Sequence, residues 1–270
     1  LSALGDIVHA MVVLQFIKSF DKEFSIDWIV DKAYKELLDQ CPDINQVHII
    51  KLKECKKKKS LGLLLNEFKK LRKLDPYDIV IDMQGLIKSA IVSKLIPSHK
   101  TVGFDKDSIR ERLASVFYSD KLNYDYSSNV IERNVALIEF ALNMSISKLQ
   151  IQQKAPFLFP RSLKLVNNLS TFKKNIILIP GASHISKCYP PSKFGELTTL
   201  FDANFLVIWG NKEEQTMANK IKELSNKVNV CNQLQLEDLM LLISKVDLVI
   251  GPDTGPTHIA WAMNIPSITL

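Results

Sequence analysis

An α/β protein of two domains, each a mainly parallel sheet with helices on both faces, is what three features of this 270-residue sequence predict. Short apolar runs alternate with amphipathic stretches along the chain, and strands that alternate with helices pair in parallel. Runs such as Ile176-Ile-Leu-Ile179 are continuously apolar, as strands covered on both faces are. Midway, Ile151-Gln-Gln-Lys-Ala-Pro-Phe-Leu-Phe-Pro160 carries prolines and little periodicity, and after it the alternation restarts. The predicted domains are therefore 1–155 and 156–270. Two such domains facing each other would hold ligands at the carboxyl ends of their strands, in a crevice between them.

In the first domain, Ser2-Ala-Leu-Gly-Asp6 leads into a mostly apolar helical run from Ile7 to Phe16, so Gly5 and Asp6 stand where a loop becomes a helix. Strands are predicted over 24–30, 47–50 and 77–82, and a helix over 61–74 on leucines 61, 64, 65, 71 and 74. Gly85 to Leu95 reads as a helix stopped by Pro97, Thr101 to Phe104 as a short strand, and Asn129 to Leu142 as the helix that closes this half. In the second domain, strands are predicted over 175–180, 205–209, 228–231, 246–250 and 267–270, separated by helical stretches. The sequence starts on what reads as the last residue of a strand, without a methionine or signal peptide, and ends in a strand. Residues are expected to be missing at both ends.

Composition narrows the classes of function. With 46% hydrophobic and 24% charged residues the chain is expected to be folded and soluble, and no run of eighteen apolar residues offers a membrane span. The formal charge of +6 comes from 35 Lys and Arg against 29 Asp and Glu. Lys51 to Lys59 carries six lysines against Glu54, and Lys69, Lys70, Arg72 and Lys73 follow. Such a run is either a solvated surface or a contact for an acidic partner: nucleic acid, an anionic lipid surface or a phosphorylated substrate. Against nucleic acid, there is no zinc-ligand spacing, no basic region with heptads and no basic stretch interleaved with aromatics. The cysteines at 41, 55, 188 and 231 are scattered, with no zinc or redox pairing, and read as reduced thiols.

The most informative stretch is Gly251-Pro-Asp-Thr-Gly-Pro-Thr-His258, a turn and helix start directly after the strand-like Val246 to Ile250. Asp253, Thr254 and Thr257 offer side-chain oxygens, and the first turn of the helix offers backbone N–H groups, a setting for a phosphate. Caps of this composition also occur without a ligand. Lys187 lies on the loop after a neighbouring strand, where its ammonium can meet the same anion or simply be solvated. Glu214 follows a third strand end, either bonding ribose hydroxyls or acting as a first-turn carboxylate favoured by the helix dipole. Asp6 is either a general base facing a diphosphate or an N-cap. His9 and His258 read as packing groups, whereas the loop residue His184 is better placed to touch a ligand. Lys88, on Asp82-Met-Gln-Gly-Leu-Ile-Lys88, and Arg110, Arg112 and Arg133 are cations able to grip carboxylates or phosphates, or plain surface residues. Neither G-x-G-x-x-G nor G-x-x-x-x-G-K-[ST] is present, which argues against a standard dehydrogenase or ATPase.

Taken together, Ser2-Ala-Leu-Gly-Asp6, Asp82-Met-Gln-Gly-Leu-Ile-Lys-Ser89 and Asp253-Thr-Gly-Pro-Thr-His258 resemble the bacterial lipopolysaccharide heptosyltransferases, glycosyltransferase family 9, and among them the heptosyltransferase I group of the inner core. The likeness runs in order over essentially the whole chain. It implies a GT-B fold, two Rossmann-like domains with the active site between them, 1–155 binding the acceptor and 156–270 the ADP-sugar donor. It implies transfer of L-glycero-D-manno-heptose from ADP-heptose to Kdo of Kdo2-lipid A, with inversion, no cofactor and no essential metal.

On this resemblance Asp6 would be the catalytic base. Lys187, Thr254, Gly255 and Thr257 would hold the diphosphate, with Asp253 and His258 at the same strand end. Glu214 would hold ribose and Leu234 would belong to the adenine-side loop, while Lys88, Arg110 and Arg133 would face the acidic acceptor. The expected location is cytoplasmic, peripheral on the inner membrane, with the basic 51–73 region docking on lipid A phosphates or anionic inner-leaflet lipids and with no nucleic acid partner. Heptosyltransferase II, or a non-catalytic nucleotide-sugar binding protein, would share the donor motifs.

Overall fold

The computed structural model describes residues 1–161, 168–182 and 184–270. It divides into two compact units, one of Leu1–Lys35 with Pro42–Lys154, the other of Glu36–Cys41 with Ala155–Leu270.

The first unit begins with helices α1 (Leu4–Met11) and α2 (Val13–Phe20). Val12 between them keeps right-handed helical angles, so the predicted run is present, longer at both ends. Ile7, Val8, Met11 and Leu14 recur at helical spacing and are buried, and both helices pack on α6 (below). Then come β1 (Asp27–Asp31), β2 (Gln46–Ile50), α3 (Leu52–Lys58), α4 (Leu61–Leu71), β3 (Tyr77–Ile81), α5 (Ile87–Leu95), β4 (Ser98–Phe104), β5 (Asp120–Leu122), α6 (Val130–Leu142) and α7 (Lys148–Gln152). Short 3-10 segments at Lys32–Leu37 and Arg112–Phe117 join them.

Strands of this unit pair in parallel, as expected, but in two sheets, β1-β2 and β3-β4-β5. Leu1 lies at the carboxyl ends of both: its carbonyl accepts the Asp31 N–H at 3.3 Å, and its amino group donates to Gln84 Oε1. At the amino ends the sheets are joined by side chains. Tyr77 on β3 donates its hydroxyl to Asp27 Oδ2 on β1 at 2.6 Å, and His48 Nε2 on β2 lies within 3.1 Å of that oxygen.

The second unit holds β6 (Asn175–Leu178), α8 (Pro191–Leu200), β7 (Asn204–Val207), α9 (Lys212–Leu224), β8 (Val228–Val230), α10 (Leu236–Ile243), β9 (Leu248–Gly251), α11 (Gly255–Ala262) and β10 (Ser267–Thr269). Its five strands form one parallel sheet in the order β10-β9-β6-β7-β8. Ile176, Leu178, Phe205 and Val207 bury one face of it against Phe194, Ala218 and Ile221. Ile177, Leu206 and Val249, which alternate with them, are fully buried on the other. That double burial is why these strands read as unbroken apolar runs. The chain winds outward from β6 through β7 to β8, then returns past β6 to β9 and β10. The winding therefore reverses between β6 and β9, where sheets of this kind form a crevice at their carboxyl ends.

Candidate functional site

At that reversal two loops meet. Strand β9 ends on Gly251, where a Cβ would lie 2.6 Å from the Cβ of Ile179, so only glycine permits the close approach of β9 to the end of β6. Thr254 is the N-cap of α11, and its N–H donates to Thr257 Oγ1 at 3.1 Å. Thr257 is buried, and its hydroxyl turns back onto the carbonyls of Thr254 and Pro252 at 2.6 and 3.1 Å. The threonine side chains thus build the helix start, and Gly255 opens a first turn whose N–H groups and dipole attract an anion.

Beside this helix end, the 3-10 turn Ile185–Lys187 sets Lys187 Nζ 3.1 Å from Asp253 Oδ2. The other oxygen of Asp253 lies 3.2 Å from Nε2 of His258, one turn into α11. A surface cavity of about 410 Å³ opens here, lined by Ser186, Lys187, Cys188, Tyr189, Asp253 and Leu270. His184 contributes its carbonyl, which accepts the Lys187 N–H.

On the other side of β6, Glu214 stands in the first turn of α9. Its carboxylate accepts the Gly210 N–H at 2.6 Å and Asn211 Nδ2 at 2.9 Å, while its own N–H donates to Asn211 Oδ1. The side chain lies over Gly181, where a Cβ would sit 2.2 Å from Glu214 Cγ. Glu214 is thus a helix-start carboxylate, held against the loop that follows β6. Leu234, half-buried, lies on the loop after β8, which is tied to the loop after β7 by Gln233 Nε2 donating to the Gly210 carbonyl at 2.9 Å. Lys187, Glu214, Leu234, Asp253, Thr254, Gly255, Thr257 and His258 therefore all stand on segments that follow carboxyl ends of one sheet.

In the first unit Asp6 is exposed at the third position of α1, not at the N-cap, which is Ala3. Its Oδ2 accepts the Ala3 N–H at 3.0 Å and the Gln84 amide at 3.5 Å. Lys88 Nζ donates to Ser2 Oγ. The loop after β3 that carries Gln84 is pinned from inside: buried Asp82 accepts the N–H groups of Gln84 and Gly85 at Oδ1 and the Tyr118 hydroxyl at Oδ2, 2.7 Å away. Burial and the neighbouring carboxylate push the Tyr118 phenol far above its ordinary pKa, so it remains a donor. Gly85 takes φ +65°, and a Cβ there would meet Ile109 at 2.6 Å.

Arg110 is exposed, and its neighbour Glu111 accepts the N–H of Ile87, capping the helix that carries Lys88. Arg133 differs from the cationic fork the sequence suggested. It is buried with its guanidinium between the rings of Phe104 and Tyr126, at 4.7 and 4.8 Å, and it donates to the carbonyls of Ser108 and Asp125. That geometry favours a post for the loop bearing Arg110 over direct contact with a ligand. Gln84 and Glu111 were missed by the sequence reading. Gln84 lies within the Asp82–Ser89 stretch, but nothing local points to Glu111, because its partner is 24 residues away.

Residues 65–270 match the family model described as glycosyltransferase family 9 (heptosyltransferase). The chain belongs to glycosyltransferase family 9. Lipopolysaccharide heptosyltransferase 1 of Campylobacter coli is 38% identical to this family 9 chain over 288 residues, spanning 100% of the chain and 81% of that protein. Among solved structures, Escherichia coli heptosyltransferase WaaC with ADP superposes with a TM-score of 0.81 at 24% identity, covering 99% of this chain and 84% of that one. The same enzyme with ADP-2-deoxy-2-fluoro heptose gives 0.80 at 23% identity, over 99% and 85%. The fold is GT-B. Among the described residues, no group of three or more His, Cys, Asp or Glu side chains is arranged to hold a metal, and no helix is long and apolar enough to cross a membrane.

Proposed function

We propose that this family 9 enzyme is a lipopolysaccharide heptosyltransferase I, which transfers L-glycero-D-manno-heptose from ADP-heptose to Kdo of Kdo2-lipid A with inversion. The observation that carries the reading is the paired anion site at the winding reversal, Lys187 beside the amino end of α11, in a chain 38% identical along its whole length to a heptosyltransferase 1. Glu214 and the Leu234 loop, at the adjoining strand ends, would take the ribose and adenine of ADP.

The chemistry then assigns roles. Asp6, with Oδ2 held by Ala3 and Gln84, accepts the proton of the acceptor hydroxyl as its oxygen attacks the anomeric carbon. The bond from that carbon to the diphosphate breaks, and the electron pair leaves on a phosphate oxygen met by Lys187 and the α11 N–H groups. A single displacement inverts the centre. In this scheme a lysine and a helix dipole supply the positive charge at the leaving group, so no metal is required. The first unit would bind the acceptor, with Lys88 and Arg110 facing its acidic groups, and the second the donor. Since the acceptor is a membrane lipid, the enzyme would work as a cytoplasmic peripheral protein on the inner membrane.

The test is transfer of heptose from ADP-heptose to purified Kdo2-lipid A by the full-length protein, with and without chelator, with the singly heptosylated lipid as competitor. Chelator-insensitive transfer to the unheptosylated lipid is expected. Transfer confined to the heptosylated lipid would move the enzyme to the second step, and donor binding without transfer to either would make it a binding protein.

A further inference from the structure

The lysine-rich region lies on a surface of its own. Residues 51–73 carry ten basic and two acidic residues, a net charge of +8 against +6 for the whole chain, so the remaining sequence is net −2. Both acids are already engaged: Glu54 pairs with Lys58 at 2.6 Å, and buried Glu67 pairs with Lys70 at 2.6 Å and accepts the Lys51 N–H. Each carboxylate of this stretch is therefore paired with a lysine, and the remaining eight cations face approaching phosphates with no acid of the stretch to offset them.

Apolar side chains lie among these charges. Lys59, in the left-handed conformation, ends α3, and Ser60 caps α4 by accepting the Leu63 N–H, so the lysines 56–59 run directly into Leu61. Leu61 and Leu65, one helical turn apart on one face, are 76% and 58% exposed. Phe68 and Leu71 instead pack inward with Ile50 and Val92. Between α3 and α4 opens a cavity of about 420 Å³ lined by Lys51, Lys69, Lys70 and Lys73 together with Glu54 and Glu67, so its cations outnumber its carboxylates by two. Exposed leucines beside a dense lysine cluster suit a partner with an anionic surface over an apolar interior.

We infer that the α3–α4 surface is the site where this protein docks on an anionic lipid bilayer, its lysines meeting headgroup phosphates and Leu61 and Leu65 entering the acyl boundary. Nucleic acid offers the charge but no place for two aliphatic side chains, and the one aromatic ring of the stretch, Phe68, is turned inward and cannot stack on bases. The inference rests on the peripheral attachment proposed above, but the vesicles of its test carry no sugar acceptor and transfer is followed separately, so docking and transfer can fail independently.

The experiment is flotation of the full-length protein with vesicles of phosphatidylcholine alone and with phosphatidylglycerol added. A single-stranded RNA oligonucleotide serves as a second probe, and turnover on detergent-dispersed Kdo2-lipid A is followed in parallel. Binding to the anionic vesicles only is expected. The triple variant Lys56→Ser, Lys57→Ser, Lys59→Ser should weaken it roughly a hundredfold, and Leu61→Ser with Leu65→Ser about tenfold or more, with melting temperatures unchanged. Leu200→Ser, at an equally exposed leucine of the second unit, should bind as the wild type does. No vesicle binding by the wild type, binding indifferent to the two leucines, or RNA binding as tight as vesicle binding would each overturn the assignment.

Discussion

Lys187 Nζ lies 3.1 Å from Asp253 Oδ2, an ion pair across the mouth of the anion site. The side chains are 46% and 58% exposed, and ion pairs in such settings are worth roughly a few tenths of a kcal/mol. On the proposed reading a doubly charged phosphate group would displace the carboxylate readily, Lys187 exchanging one oxygen partner for another on donor binding. Lys187→Ala is expected to raise the Kd for ADP about tenfold to a hundredfold in calorimetric titration. Asp253→Asn should leave ADP affinity equal or better, since it removes a competitor, while lowering turnover. Equal affinity loss in both variants would mean that the pair binds as a unit.

Asp6 makes the sharper kinetic test. Because its contacts are with Ala3 and Gln84, both remote in sequence from the anion site, Asp6→Asn should lower kcat by about 10² to 10⁴-fold with donor affinity unchanged. A fall in ADP-heptose affinity as steep as the fall in kcat would assign the residue to donor binding instead.

Two arginines separate stability from recognition. Arg133→Ala leaves the carbonyls of Ser108 and Asp125 without their donor and removes the cation between Phe104 and Tyr126, so thermal unfolding should report a loss of about 2–4 kcal/mol. Arg110→Ala should leave the melting temperature in place and raise KM for the lipid acceptor. The reverse pattern would return Arg133 to the acceptor site.

The junction between the two sheets of the first unit is expected to be acid-sensitive. Burial alone would raise the pKa of Asp27, but hydrogen bonds from Tyr77, Asn45 and His48 outweigh it and hold the carboxyl below its ordinary value. A group whose folded pKa lies below its unfolded one stabilises the fold fully above the unfolded value, about 3.9 for Asp, and loses that contribution as pH falls through the folded value. Asp27→Asn should therefore cost about 1–3 kcal/mol in denaturant unfolding at pH 7 and progressively less below about pH 4. A deficit equal at both would show that the charge is irrelevant.

Much of this was legible because burial writes a pattern. Ile176 to Ile179 announced a two-sided strand, and the Gly251 segment announced a helix start with free N–H groups. What escaped did so for physical reasons. Helix α3 hides in a lysine run because its formation depends on the propensity of Lys and Leu and on the Glu54–Lys58 pair, not on an apolar stripe. Strand β5 is three residues of Asp, Lys and Leu, too short for alternation to show. Arg133 reads from the sequence as an acceptor-facing cation or a plain surface residue because nothing local to it reveals that Phe104, 29 residues earlier, lies beneath its guanidinium. By contrast, α7 was readable in principle, since Ser147 and Gln150 form a capping box.

The inward turn of the Thr257 hydroxyl bears on how donor choice is divided along the chain. With the Thr257 oxygen engaged in building the helix start, the proposed site would meet the diphosphate with main chain and the Lys187 ammonium, which register charge and are indifferent to the base or sugar attached. On that proposal discrimination among nucleotides would fall to the loops after β7 and β8, which the Gln233–Gly210 bond fastens together. Retargeting the enzyme to another nucleotide becomes an exercise in exchanging those loops as a pair, with the Gly251–His258 segment left untouched.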